Sequence, residues 1–352
     1  MRFVATFPAT VASVKTFITR TFVATFKTHR SSDYRSGFAD TFNFILATEL
    51  AGCRKLDKSG SQIFLYSCHS PPVAPPIAFK FIFIADDSYL YCLNDSGLFL
   101  WKLSIDGLPY GITADGSKVA VSTENSLFVI QYDGTLLFKL NAVEPFGATS
   151  EDLSFFFAYG PYLYHIDGDG SLIWKAETEF PIDPNQVKKL ASPTIYENRI
   201  YTPAPCCHSA DDGSLIWTAR ALTLPYSSSQ TLALSNGKLF YTSSHIYRIS
   251  PDGDVELSAS INLYWPETDA SALDVIYAFG DGLFKFSFSL ELIWHYACSR
   301  NTREEWDLPP PSQTAHRDVV AVPEYASLLV IDNNGNLLWK RDEANLTHPA
   351  IY

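Results

Sequence analysis

The sequence has few of the features that mark a membrane span, a metal site or a helical protein. No stretch approaches the 18 consecutive apolar residues of a transmembrane helix, so we expect no membrane span. The six cysteines show no metal-ligand spacing and leave the redox compartment open. Met occurs once, against 25 Phe and 19 Tyr, and aromatic residues fit the pleated surface of a sheet. These features favour an all-β protein.

Basic residues are also scarce. The formal net charge is −12 at pH 7, which argues against nucleic acid or an anionic membrane as a partner. The first thirty residues differ from the rest, because they carry five Lys and Arg and no acidic residue. The remainder is therefore more acidic still, with 21 basic against 38 acidic residues, a net charge of −17.

Residues 1–38 are predicted to be a separate N-terminal extension, basic and rich in Thr and Phe. The segment contains an imperfect duplication, FVATFPAT and FVATFKT. Its composition fits an organelle transit segment better than a secretory signal, whose longer apolar centre is not evident. A disordered basic tail and an incorrectly assigned start are the alternatives. Residues 39–352 are predicted to form the folded domain.

One motif recurs along this domain, and its clearest copy is LYHIDGDGSLIW at residues 163–174. A Gly is followed four residues later by an aromatic residue, and successive copies are 36 to 45 residues apart. Three copies are weaker: Gly60 leads to Phe64, Gly253 leads to Leu257, and Leu290 takes the Gly position before Trp294. The clear anchors are Gly97 and Trp101, Gly134 and Phe138, Gly170 and Trp174, Gly213 and Trp217, and Gly335 and Trp339.

Each copy contains this hairpin preceded by two further strands, such as TIY and RIY before the Gly213 copy. Four strands in about forty residues is the period of a β-propeller blade. Helical repeats would need an apolar spacing of about 3.6 residues, which is absent. The sequence therefore predicts an all-β, eight-bladed β-propeller with four-stranded antiparallel blades. Seven blades is the alternative, if the Gly60 copy is irregular.

The two ends of the domain are predicted to share one blade. THPAIY at residues 347–352 matches ASPTIY at residues 191–196, which is an innermost strand. Residues 42–67 supply a second, third and fourth strand without a clear first one. We therefore expect the C-terminal strand to join the N-terminal blade and close the ring, which removes exposed sheet edges.

Within the hairpins, the residues four and six positions before the Gly are apolar, as Ile166 and Tyr164 are before Gly170, with Ser209 as the exception. Residues two apart share one face of a strand, so this face is predicted to meet the next blade. The Asp residues of the turns are predicted to stabilise the tight hairpins. Calcium binding by these carboxylates is the weaker alternative, because Ca²⁺ needs six to eight oxygens converging on one point.

The hairpin pattern resembles the quinoprotein-like (PQQ-like) repeat, most strongly at residues 88–102, 162–175 and 327–340. The resemblance implies an eight-bladed propeller and two kinds of function. Some members are dehydrogenases that use pyrroloquinoline quinone and Ca²⁺, with a pair of adjacent cysteines over the quinone. Others are non-catalytic, including a bacterial outer-membrane assembly scaffold.

The residues that could carry the enzyme's chemistry favour a structural role. Cys206 and Cys207 are placed by register in a third strand, as the equivalents of Leu163 and Tyr164. Adjacent strand residues point to opposite faces, so we expect buried thiols outside any disulfide. His165 and His208 each lie five residues before a Gly, where other copies have Lys55, Arg248 and Lys285, and we expect a polar seam between blades. No catalytic, cofactor-binding or metal residue is assigned.

Two long connections between blades, residues 175–190 and 297–316, are predicted to emerge on one face of the ring. The second contains the candidate partner-binding residues Arg303, Glu304, Glu305 and Trp306. Alternatively, Trp306 covers the channel mouth or packs on a blade.

The predicted function is a monomeric, non-catalytic binding or scaffold propeller with a protein partner and no cofactor. The first alternative is a pyrroloquinoline quinone- and Ca²⁺-dependent alcohol or sugar dehydrogenase. A carbohydrate-processing or lyase propeller is a weaker alternative.

Overall fold

The computed structural model consists of β-strands, turns and loops, with no helix among the residues it describes. The all-β prediction is therefore confirmed for this part of the chain. The described residues are 5–7, 16–18, 44–49, 52–72, 74, 76–78, 80–114, 117–141, 146–151, 154–159, 162–167, 170–178, 194–202, 206–218, 231–235, 238–242, 245–260, 267–272, 275–279, 282–298, 314–316, 319–324, 327–342 and 347–351.

The first half of the chain contributes seventeen of the described strands. The first two pair with each other as a small antiparallel sheet. The strands are β1 (Ala5–Phe7), β2 (Thr16–Ile18), β3 (Ile45–Glu49), β4 (Gly52–Leu56), β5 (Gln62–Ser67), β6 (Ile77–Ala78), β7 (Ile82–Ala85), β8 (Tyr89–Leu93), β9 (Phe99–Ser104), β10 (Pro109–Ala114), β11 (Lys118–Thr123), β12 (Ser126–Gln131), β13 (Leu136–Asn141), β14 (Phe146–Glu151), β15 (Ser154–Tyr159), β16 (Tyr162–Ile166) and β17 (Leu172–Glu177).

The second half contributes the same number of described strands. They are β18 (Thr194–Tyr196), β19 (Arg199–Tyr201), β20 (Cys206–Ser209), β21 (Leu215–Thr218), β22 (Thr231–Ser235), β23 (Lys238–Thr242), β24 (His245–Ile249), β25 (Val255–Ser260), β26 (Glu267–Ala272), β27 (Val275–Phe279), β28 (Leu283–Ser287), β29 (Leu292–Tyr296), β30 (Thr314–His316), β31 (Val319–Glu324), β32 (Ser327–Asp332), β33 (Leu337–Asp342) and β34 (Thr347–Ile351).

Apart from the β1–β2 pair, the described strands form eight four-stranded antiparallel sheets. Seven sheets use four consecutive strands, and we number them sheet 2 (β6–β9) to sheet 8 (β30–β33). Sheet 1 has the order β34-β3-β4-β5, so it combines the last described strand with three from near the start. In its ladder, Ile351 of β34 lies opposite Ile45 of β3.

The repeated Gly allows the tight turn between the third and fourth strands. Gly170 has a φ of 88°, and its N–H donates to the Asp167 carbonyl at 3.1 Å. A side chain costs energy in this left-handed region, which explains why Gly recurs here. Leu290 takes the same position in sheet 7 and has a φ of 62°. The turn geometry is therefore retained where the Gly is not.

The turn glycines have a second role, because the aromatic anchors of seven sheets lie on the turn glycine of the following sheet, and only sheet 6, with Leu257 as its anchor, differs among the described sheets. A Cβ placed on Gly134 would lie 3.0 Å from the Trp101 ring. The same approach recurs around the sheets, and it includes the last pair, in which Trp339 of sheet 8 lies against Gly60 of sheet 1. The other pairs are Phe64 with Gly97, Phe138 with Gly170, Trp174 with Gly213, Trp217 with Gly253, and Trp294 with Gly335.

Each Trp anchor also donates a hydrogen bond to the turn on which it lies. The Nε1–H of Trp101 donates to the Tyr132 carbonyl at 2.8 Å, and that of Trp339 to the Lys58 carbonyl at 2.9 Å. The indole rings are half-buried. The five seams with a Trp anchor thus combine ring packing with a polar contact. The remaining donors and acceptors are Trp174 to Ala210, Trp217 to Pro251, and Trp294 to Asn333.

The apolar face of the third strands packs against the preceding sheet, so the prediction that it meets the following blade was wrong. Tyr91 and Leu93 of sheet 2 share a cluster with Leu46 of sheet 1. The intervening Cys92 lies opposite Trp101 and points the other way, toward Ile112 of sheet 3. The side that carries the aromatic anchor therefore faces forward along the chain, and the residues four and six positions before the Gly face backward.

Every outer strand carries a β-bulge next to its anchor. In sheet 4, His165 lies opposite Trp174 and Ile166 lies opposite Leu172, so Ile173 has no cross-strand partner. The same register shift occurs at the equivalent point of the other seven sheets. The extra residue places two consecutive apolar side chains on the outside, and Leu172 and Ile173 are about half exposed.

Candidate binding face

The sheets have two distinct edges, which we name the loop face and the turn face. The turn face carries the Gly turns between third and fourth strands. The loop face carries the turns between second and third strands, the ends of the outer strands, and the connections to the next sheet. Residues 178–193 join β17 to β18, and residues 297–313 join β29 to β30, so both long connections start from the loop face. The candidate residues Arg303, Glu304, Glu305 and Trp306 lie outside the described residues.

On the loop face, the carboxylate of Asp86 braces the connection between sheets 1 and 2. Asp86 is fully buried and accepts five hydrogen bonds. Its Oδ2 accepts the backbone N–H groups of His69 and Ser70 at 3.0 and 3.1 Å, and the Tyr91 hydroxyl at 2.6 Å. Its Oδ1 accepts two N–H groups of its own turn, at residues 88 and 89. All of these donors are internal to the fold, so the carboxylate has a structural role.

Asp106 has the same role one sheet further on. It accepts hydrogen bonds from the hydroxyls of Thr123 and Ser126 and forms an ion pair with Lys139. Burial alone would raise the pKa of Asp106, but the hydrogen bonds and the positive charge of Lys139 outweigh it and lower the pKa. In sheet 8, Asp342 at the end of the outer strand accepts the hydroxyl of Ser327, its ladder partner, at 2.7 Å. The described carboxylates therefore hold the loop face in position.

On the turn face, most of the described Asp side chains accept hydrogen bonds within their own turns, whereas Asp95 and Asp252 pair with Lys55 and Arg199 of the preceding sheet. Asp57 accepts the N–H groups of Ser59 and Ser61 at 2.8 and 2.9 Å, and the Ser59 hydroxyl at 2.7 Å. These bonds lower the pKa of Asp57, with the Ser59 hydroxyl as the largest cause. Asp332 accepts two backbone N–H groups in the same way. These contacts agree with the predicted turn-stabilising role. Among the described residues, no three His, Cys, Asp or Glu side chains are grouped to hold a metal ion.

The three cations that lie five residues before the Gly position extend across the seams, in agreement with the predicted polar seam. Lys55 of sheet 1 donates to the backbone carbonyl of Asp95 at 2.9 Å. Arg248 donates to the Phe288 carbonyl at 2.7 Å. The Asn333 carbonyl accepts from both Lys285, at 2.6 Å, and the Trp294 indole. In each case the acceptor lies two residues before the Gly position of the following turn, so the cation satisfies a carbonyl that the turn leaves open.

The structure corrects the predicted alignment of the Cys206-Cys207-His208 stretch. The turn of sheet 5 runs from Ser209 to Ser214 and is one residue longer than the Asp167–Ser171 turn of sheet 4. Cys207 therefore lies opposite Trp217, as His165 lies opposite Trp174, and His208 takes the position of Ile166. Counting positions back from the Gly did not reveal this shift, because the count does not allow for the extra residue in the longer turn. Both cysteines are buried and neither forms a disulfide, and burial raises the pKa of Cys207 to about 12.

The outer strands expose an apolar belt that the sequence reading missed. The large hydrophobic side chains that are exposed lie at the bulges or directly beside them, and Leu98 is the most exposed at 65%. The sequence signal was present as adjacent apolar pairs two and three residues after the Gly. The described residues contain no helix that could cross a membrane. The paired positions are Leu172 and Ile173, Leu215 and Ile216, Leu292 and Ile293, and Leu337 and Leu338.

Comparison with known proteins identifies the architecture. No protein-family model and no curated protein matches the chain. Among solved structures, apo AztD from Citrobacter koseri matches with a TM-score of 0.63 at 10% identity, over 89% of this chain and 98% of AztD. BamB from Moraxella catarrhalis matches with a TM-score of 0.56 at 13% identity, over 78% of this chain and 88% of BamB. Both are β-propeller proteins. The chain folds as a β-propeller.

At such low identities the likeness shows the fold alone.

We predict that Asp86→Asn destabilises the propeller by about 2–4 kcal/mol, because an amide NH₂ would replace one acceptor and face buried N–H donors. Urea unfolding followed by Trp fluorescence would measure the change. Asp254→Asn is the matched control, since the Asp254 side chain is exposed on a turn of sheet 6 and should change stability by less than about 0.5 kcal/mol. Equal effects of the two variants would contradict the bracing role of Asp86.

Proposed function

We propose that the propeller is a non-catalytic binding or scaffold module that presents its loop face to a protein partner. The observation that carries this proposal is the use of Asp86 and Asp106 as braces on that face. Their hydrogen bonds fasten the connections between sheets 1 and 2 and between sheets 2 and 3 to the turns beside them. Loops that project from a rigid scaffold are suited to recognition.

The connection between β29 and β30 is the proposed contact region. It carries Arg303, Glu304, Glu305 and Trp306, followed by three consecutive prolines. Trp and Arg are the residue types most enriched among the energetically dominant positions of protein interfaces. The net charge of −12 favours a protein partner over nucleic acid, and we propose that the propeller itself is a monomer.

We further propose that the propeller has eight blades in a closed ring of the PQQ-like type, with sheets 1 to 8 as the blades. Support comes from the pairing of β34 with β3 and from the contacts of Trp339 with Gly60 and Lys58. Arg341 adds a hydrogen bond to the Gly60 carbonyl at 2.6 Å. The seam between sheets 8 and 1 thus uses the same parts as the other seams.

Deleting residues 347–352 tests ring closure. The deletion removes the innermost strand of sheet 1 and exposes the edge of β3, so we expect a loss of more than about 3 kcal/mol in unfolding free energy. Urea unfolding measures it, and hydrogen exchange should show lost protection in β3 and in β33. An unchanged unfolding midpoint would contradict a closed ring.

Trp306→Ala tests the binding proposal. We expect a partner captured by the full chain to bind the variant at least about tenfold more weakly, because removing an interface Trp costs 2 kcal/mol or more. Cross-linking mass spectrometry identifies the partner, and biolayer interferometry measures the affinity. Asp133→Ala, on the turn face, is the control and should leave the affinity unchanged. Equal weakening by both variants, or by neither, would contradict the proposed contact region.

A pyrroloquinoline quinone- and Ca²⁺-dependent dehydrogenase is the alternative function. Cys206 and Cys207 are buried and are adjacent on a regular strand, so their side chains point to opposite faces. Incubation of the protein with the quinone and Ca²⁺ should therefore produce no dye reduction with alcohols or sugars. Turnover above the level of a heat-treated control would favour the enzyme over the binding module.

A further inference from the structure

Two buried histidines lie on opposite sides of the seam between sheets 4 and 5. His165 is on the side of sheet 4 that faces sheet 5, and His208 is on the side of sheet 5 that faces sheet 4. His165 lies opposite Phe156 in its ladder, and Phe156 packs in one cluster with Ile195 and Ile200 of sheet 5. His208 lies opposite Ile200 in the ladder of sheet 5. Cross-strand partners share one face of a sheet, so both imidazoles lie on the two facing sides of this seam.

The environment of His165 is apolar. Its ring stacks on Phe156 with 4.0 Å between centroids, and the Trp174 ring lies at 5.3 Å. The side chain is 9% exposed, and neither ring nitrogen has a hydrogen-bond partner among the described residues. Burial lowers the pKa of His165 to about 4, and the nearby charge of Asp167 only partly opposes this. The imidazole is therefore neutral at pH 7.

His208 is fully buried, and its Nδ1 lies 3.0 Å from the Gly213 carbonyl. A carbonyl oxygen can only accept, so Nδ1 carries the proton and Nε2 is the nitrogen that would take a second one. His208 lies on the side of sheet 5 that faces His165.

The other titratable groups facing His165 are few. Asp167 follows His165 by two residues at the end of β16. From sheet 5, Cys206 lies two residues before His208 on the same side of β20. From β17, Lys175 is adjacent to Trp174 and lies over the rings of Tyr162 and Tyr164 on the opposite side. No described Lys or Arg faces the imidazole, and Asp167 is the one carboxylate that attracts a proton to it.

We propose that the seam between sheets 4 and 5 is an acid-sensitive element, in which protonation of the two histidines loosens the packing of the two sheets. A second proton on either ring would place a positive charge among Phe156, Trp174, Ile195 and Ile200, where water is excluded. Loosening would separate Trp174 from the turn of sheet 5, on which its indole donates to Ala210.

The direction of the pH effect follows from the lowered pKa of His165. In the unfolded or opened chain the imidazole takes up a proton near pH 6.5, whereas in the closed seam it does so only near pH 4. The stabilising effect of the closed seam is therefore complete above pH 6.5 and decreases as the pH falls toward 4. Residues 178–193 join the two sheets on the loop face, so the loosening reaches the connections there. The importance of this effect on the connections rests on the proposed function, whereas the loosening of the seam at low pH does not.

Hydrogen exchange of the full chain at pH 7.5, 6.0 and 5.0, corrected for intrinsic rates, tests the proposal. We expect the protection of β16 and β18–β20 to fall by up to about tenfold for each pH unit below 6.5, while β7, β8 and β12 change little. His165→Phe keeps the ring packing and removes one titrating group, so its seam should lose much less protection. His295→Phe, at an exposed histidine in sheet 7, should behave like the wild type. Equal pH dependence in all sheets, or in all three proteins, would overturn the proposal.

Imidazole NMR of the wild-type protein gives a second measurement that does not depend on a folded variant. One histidine should fail to titrate until below pH 5, and its signal should be assigned by comparison with spectra of His165→Phe or His165→Gln. If instead every histidine titrated near pH 6.5, the acid-sensitive seam would be excluded. Neither readout involves partner binding, so failure of this proposal and failure of the binding proposal are distinguishable.

Discussion

The packing of an aromatic ring on a bare glycine turn is the contact on which the propeller depends. This contact places two requirements on the Gly. The Gly must adopt a left-handed φ, and it must leave room for the Trp or Phe of the preceding sheet. Trp101 and Gly134 illustrate both. A side chain at such a Gly would strain the turn of its own hairpin and would also displace the aromatic ring of the preceding sheet. The turn and the seam therefore both depend on the absence of a side chain at this position.

Polar contacts add to the packing in seven of the eight seams among the described residues. The open carbonyl two residues before a Gly accepts an indole N–H, a Lys or an Arg from the preceding sheet. Where His165 takes the place of the cation, the turn carbonyl of Ala210 still accepts the Trp174 indole N–H, while the imidazole stacks on Phe156 and has no hydrogen-bond partner among the described residues. One seam among otherwise similar ones is thereby made dependent on the protonation state of an imidazole.

The local structure could be predicted from the sequence, but the relation between sheets could not. The Gly and aromatic spacing predicted all-β repeats and tight turns, because a positive φ is a constraint within one hairpin. Which side of Tyr91 and Leu93 meets which neighbour depends on packing of whole sheets, and this prediction was wrong. The extra residue in the turn of Ser209–Ser214 shifted Cys207 and His208 by one position, and counting back from the Gly could not detect it. The candidate residues Arg303 to Trp306 carry no repeat pattern, so they remain a prediction.

The bulge beside each anchor has a consequence for the behaviour of the protein in concentrated solution. An outer strand with Leu172 and Ile173 in the open would ordinarily serve as a template on which further chains add into fibres. The unmatched residue interrupts the even spacing of backbone donors and acceptors in that strand and increases its twist. Another molecule's strand cannot align with it over its full length. The bulges therefore disfavour edge-to-edge pairing between molecules at the strands that expose these apolar side chains.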